Sequence, residues 1–124
     1  MKAKLNISNR YWANQILVGD GSPAMPGFKG KLDDIAFVMD DIKKIFITKE
    51  EWEKAERKEE TVGKDKEGNE MKQILWNDEK GPVKEIELSD ATVTFIEKFI
   101  SEKNEKAEAT LGDLKFLDLS KKLS

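Results

Sequence analysis

The chain has 124 residues, of which 38% are apolar and 38% charged, and its 22 basic and 25 acidic side chains leave a net charge of −3. It contains neither histidine nor cysteine. That excludes an imidazole proton shuttle, a thiolate nucleophile, disulfides, and the nitrogen and sulfur ligands of ordinary zinc and copper sites.

A chain of this length is expected to form one domain around one core. No apolar run approaches the ~18 residues of a membrane span, and the start lacks the basic-then-apolar pattern of a signal peptide. The expectation is a soluble, intracellular protein with no membrane partner. Residues 1–47 hold 7 basic and 5 acidic side chains against 15 and 20 in the remainder. Lysines alternate with glutamates rather than clustering, so the counterion-releasing patch of a nucleic-acid binder is not expected.

Lys2–Ile7 reads as a strand, with Ala3, Leu5 and Ile7 on one side. Ser8 is the expected N-cap of a helix to Val18, with Ile7 and Trp12 as a hydrophobic staple. That helix should bury Trp12, Ala13 and Ile16, and Gly19 and Gly21 should end it. Residues 19–30 hold four glycines and two prolines and form the clearest loop. A connector that tucks Met25 and Phe28 into the core is preferred there over a binding loop.

Leu32 to about Ile47 is the strongest helix. Leu32, Ile35, Met39, Ile42 and Phe46 recur in steps of three and four, and Ala36, Val38 and Ile45 widen that stripe, which is expected to be the core spine. Thr48 to Glu51 is a capping box opening a charged, exposed segment anchored by Trp52 and Ala55. Residues 61–76 predict a β-hairpin turning at Lys66–Asn69, where Gly68 and Asn69 tolerate positive φ. Val83–Leu88 alternates as a half-buried strand. Ser89 caps a helix burying Val93, Ile96, Phe99 and Ile100, with Leu88 and Val93 as a staple. Leu111–Leu119 is read as a strand from the alternation of Leu117 and Leu119. These elements predict a single α+β domain over 1–124, with a small, mainly antiparallel sheet of three to five strands against three or four helices.

The motifs of small-molecule chemistry fail on spacing. Gly30-Lys31 is followed by Leu32, which has no hydroxyl for the magnesium of a P-loop. Asp65-Lys-Glu-Gly68 brings its glycine too early for an EF-hand. Asp33 and Asp40, like Asp34 and Asp41, lie seven apart on one helix face. Paired acids can serve as acid and base or hold magnesium, but a hydrated polar face is the preferred reading. No catalytic residue, metal site or cofactor is assigned.

Phe37 does not fit a solvated face. On a helical wheel it lies among Asp33, Asp40, Asp41 and Lys44, and an aromatic ringed by polar groups suits an interface anchor. A covering element of the same domain is the competing reading. Among the tryptophans, Trp12 is assigned to the core, Trp52 to the charged segment, and Trp76 beside Lys72, Lys80 and Lys84 is the candidate for stacking on a partner.

The order of elements runs through Lys4-Leu-Asn-Ile-Ser8, the apolar helix, the charged helix, Asp65-Lys-Glu-Gly-Asn69, Ile86-Glu-Leu-Ser-Asp90 and Leu114-Lys-Phe-Leu-Asp-Leu119. This plan resembles small proteins of unknown function encoded by tailed bacteriophages and prophages, although the loop at 19–30 departs from it. The resemblance implies a viral accessory role and carries no catalytic residue. The expected function is a non-enzymatic protein-binding module, a phage accessory or assembly factor. Its partner is expected to be another protein, a phage structural or host defence component, and a homo-oligomer is among the assemblies these features allow. An inhibitor of a bacterial defence complex, of the anti-CRISPR type, is the alternative, and a magnesium-dependent carboxylate enzyme a distant third.

Overall fold

The computed structural model describes residues 1–105 and 113–123. In chain order the elements are β1 (Lys2–Leu5), α1 (Ile7–Val18), α2 (Leu32–Ile45), α3 (Lys49–Lys54), β2 (Lys58–Lys64), β3 (Glu70–Leu75), β4 (Lys84–Glu87), α4 (Asp90–Glu105) and α5 (Leu114–Lys122). The class is α+β. Among the described residues four strands form two separate antiparallel ribbons, β1–β4 and β2–β3, rather than one sheet. The chain packs as two compact units, one of Met1–Phe46 with Val83–Ser124 and one of Ile47–Pro82.

In the first unit, β1 and β4 pair Ala3 with Ile86 on the buried face and Lys2 with Glu87 and Lys4 with Glu85 on the outer face. Opposite charges directly across an antiparallel pair support that register. Asn6, not Ser8, caps α1. Its side chain accepts from the Asn9 N–H at 2.8 Å while the Asn9 side chain accepts from the Asn6 N–H at 3.1 Å. Ile7 is therefore the first helical residue and cannot staple to Trp12 from outside. Asn9 also donates to Asp118 at 2.8 Å, tying α1 to α5. Ala13, Ile16 and Leu17 bury against Leu5, Val38, Ile45, Ile96, Phe116 and Leu119, while Trp12 packs at the margin, edge to face with Phe116 at 6.0 Å between ring centroids.

The loop after α1 is an ordered strap. Gly19 ends the helix at φ 82°, and the Phe28 N–H returns to the Leu17 carbonyl at 2.8 Å. Gly27 has φ 89°, and a Cβ there would lie 2.5 Å from the Val18 carbonyl oxygen. Met25 and Phe28 pack against the core, with the Phe28 ring 5.0 Å from Phe95. At its exposed start, Asp20 accepts from the Ser22 hydroxyl and N–H, and these two bonds hold its carboxyl below the ordinary range.

The reading of Leu111–Leu119 as a strand is corrected. Leu111 and Gly112 lie outside the described residues, and Leu114–Lys122 is a helix. Phe116, Leu119 and Leu123 are buried at steps of three and four, whereas the Leu117–Leu119 alternation that suggested a strand places Leu117 in solvent. An aromatic side chain at 116 and an apolar one at 123 extend the inward face over two turns, which no strand of that length provides.

In the second unit, Thr48 and Glu51 form the expected capping box at 3.2 and 3.1 Å. α3 stops in a left-handed residue, Glu56 at φ 56°, with the Arg57 N–H reaching back to the Trp52 carbonyl at 3.1 Å. The hairpin starts three residues earlier than expected and carries an irregularity between Thr61 and Gly63. Its turn is built by Asp65, whose carboxylate accepts from the N–H groups of Glu67 and Asn69, both at 2.9 Å.

Two backbone positions predict opposite effects. Gly27→Ala combines positive φ with a backbone clash and is expected to cost at least ~2 kcal/mol. Glu56→Gly relieves the left-handed strain and is expected to stabilise by about 0.5–1 kcal/mol. Urea denaturation midpoints for the two variants check both signs.

Candidate functional site

The helix α2 decides which side chains of the first unit meet solvent. Its buried residues are Val38, Asp41 and Ile45. Asp41 is only 2% exposed. One of its carboxylate oxygens accepts from the Ser89 N–H at 2.9 Å, the Ser89 hydroxyl at 2.7 Å and the Thr92 hydroxyl at 2.6 Å. The other lies 3.6 Å from the Lys44 ammonium, which also donates to the Glu87 carbonyl. Asp41 thus caps α4 from a neighbouring helix, alongside Ser89, whose hydroxyl accepts from the Thr92 N–H. The far end of α2 is held by Arg10, which is fully buried and donates to the carbonyls of Ile45 and Phe46. A guanidinium at a helix C-terminus meets the negative end of the helix dipole.

These anchors turn the expected core stripe outward. Leu32 is 84% exposed, Phe46 66% and Met39 48%, with Ile35 also exposed and Ile42 half-buried at the edge. The expectation that these residues form the core spine is therefore corrected. Only Val38 and Ile45, assigned to its margin, lie in the interior. The inward and outward faces differ by roughly 110° of rotation about the helix.

Of the residues singled out beforehand, α2 brings together Asp33, Phe37, Asp40 and Lys44. Phe37 is 57% exposed, so no element of the described chain covers it. Asp33 and Asp40 flank it in solvent. Asp41 leaves this group because its carboxylate is consumed inside the protein. Trp76 lies elsewhere, in the second unit. Its ring meets Trp52 at 5.4 Å and 67°, its Nε1 donates to Asp78 at 3.1 Å, and the Arg57 guanidinium lies over the Trp52 ring at 5.5 Å. A half-buried indole engaged in this way is not a free stacking platform.

Grooves run along α4. One lies toward α5, between Glu97, Ile100, Lys103 and Phe116, and another toward the strap, between Pro26, Lys29, Phe95 and Lys98. Among the described residues, no three carboxylates converge as a metal ion would require, and no helix is long and apolar enough to cross a membrane. Compared with protein-family models, with curated proteins and with solved structures, the chain matches none.

The sequence reading overlooked Arg10 and Thr92 and assigned Asp41 to the surface. Asp41→Ala strands the half-buried Ser89 and buried Thr92 donors and is expected to destabilise by about 3 kcal/mol. Asp33→Ala, on the same helix but in solvent, should stay within about 0.5 kcal/mol of the parent. Guanidinium unfolding of the two variants tests that contrast.

Proposed function

We propose that this protein is a non-enzymatic protein-binding module that engages its partner through α2. The observation that carries this reading is the exposed row Leu32, Ile35 and Met39 on α2, with Phe46 exposed at its C-cap. Soluble domains seldom leave a contiguous apolar face of this kind in water unless something covers it. A helix face with anchors at steps of three and four fits recognition between helices or in a groove. Phe37 and the acids around it supply a second, polar-rimmed flank. The setting is the viral accessory or assembly role implied by the resemblance to phage proteins. Mimicry of a nucleic acid by a row of carboxylates, as an inhibitor of a defence complex would use, is disfavoured because Asp41 is withdrawn from the row on α2.

The double variant Leu32→Lys/Met39→Lys tests the reading. Both side chains are exposed, so its circular dichroism and melting temperature should match the parent. The parent, used as immobilised bait, should retain a discrete protein, whether another species or further copies of itself, and the double variant should lose it. Equal retention by both, or none by the parent, would overturn the proposal.

A further inference from the structure

We infer that the groove between α4 and α5 binds a small protonated amine carried on an apolar body, with Glu97 as its counter-ion. The groove offers about 380 Å³, within the range of small-molecule sites. Glu97, Ile100, Ser101 and Asn104 recur on one side of α4 and form one wall. Phe116 and Leu117 of α5 line it from across. No residue of α2 contributes, so the inference stands apart from the protein-binding reading.

Glu97 is the residue that asks for a ligand. It is half-buried. One of its carboxylate oxygens is sealed from solvent and, among the described residues, receives no hydrogen bond. The carboxylate has no ion-pair partner among them either. By contrast, the buried Asp41 collects three hydrogen-bond donors. An anion partly withdrawn from water without such donors is unfavourable until something supplies the missing charge. Its other oxygen, equally unpartnered but not sealed, is the atom an ammonium can reach.

The cation that lines the same groove is already committed. Lys103 lies 3.7 Å from Asp113 and over the rings of Phe99 and Phe116 at 5.6 and 5.9 Å. Lys103 and Asp113 offset each other, so Glu97 leaves the described lining with one negative charge in excess. Apolar surface adjoins that charge at Ile100, Phe116 and the exposed Leu117. An ammonium on a hydrocarbon body answers both features at once: its N–H groups donate to the carboxylate and its body covers Leu117. The walls stand without a ligand, because Phe116 packs edge to face with Phe99 at 5.6 Å and Asn9 ties α1 to α5 at 2.8 Å. Little ordering is left for binding to impose.

A chemical-shift titration of the isotopically labelled full chain with phenethylammonium tests the inference. Saturable shifts should gather at the amides of Ser101, Asn104 and Leu117. Phenethyl alcohol, of similar shape without the charge, should bind at least about tenfold more weakly, and hydrocinnamate, which carries a carboxylate instead, should not saturate. Glu97→Gln should abolish the preference for the amine over the alcohol. Its melting temperature should be no lower than the parent's, because no internal partner is lost; a lower one would show the carboxylate to be paired within the chain and would overturn the inference. No saturation of the parent by the amine up to about 50 mM, or equal binding by the parent and Glu97→Gln, also overturns it. So do shifts that persist in Ser101→Trp, which places a bulky ring at an exposed position of the groove wall. Loss of the α2 partner with the amine still bound here would remove only the protein-binding reading, and the reverse outcome only this site.

Discussion

The buried carboxylate of Asp41 sets the orientation of α2, and through it which of that helix's side chains meet solvent. A carboxylate withdrawn from water is tolerated only when its oxygens are satisfied. Here the Ser89 N–H and hydroxyl, the Thr92 hydroxyl and the nearby Lys44 ammonium meet that demand. These groups sit at the start of α4, so the same contacts that solvate the acid also define where α4 begins. Rotating α2 to bury Leu32 and Met39 would drag Asp41 into solvent and leave the donors of Thr92 and Ser89 without it. Hydrogen bonding thus overrides the larger hydrophobic stripe, because an orphaned buried polar group costs as much as burying a sizeable apolar side chain gains.

Arg10 complements this from the opposite end. It is fully buried and donates to the carbonyls of Ile45 and Phe46 at the end of α2. With Asp41 near the middle and Arg10 at the end, α2 is fixed by two polar contacts rather than by the depth of its apolar packing. The core proper is then assembled by α1, α4, α5 and the β1–β4 ribbon around Leu5, Ile16, Ile96 and Leu119.

Most of the local structure was legible because it obeys short-range rules. The Thr48–Glu51 box, the Gly68 turn, the Ser89 cap and the strap between Gly19 and Phe28 all follow from adjacent residues. The errors arose where two periodicities overlapped or where a distant partner decided the outcome. In 114–119, alternation competed with helical spacing, and the aromatic contacts of Phe116 with Phe99 and Trp12 resolved it. On α2, hydropathy favoured the wrong face because the deciding groups lie 48 and 51 positions away at Ser89 and Thr92. Within the candidate site, Phe37 stood out because an aromatic among acids is locally incongruous. The neighbouring apolar row did not, since a helix face left in solvent can have the same composition as one packed into the interior.

The β2–β3 ribbon has a further consequence. Each of its strands has a single neighbour, so both outer margins present unmatched amide and carbonyl groups, an invitation to unlimited stacking of chains. The ribbon is lined with Lys58, Glu59, Glu60, Lys64, Glu70 and Lys72 and is kinked near Val62, devices that deter such growth. Strand-by-strand growth from the margins of this ribbon is thereby discouraged.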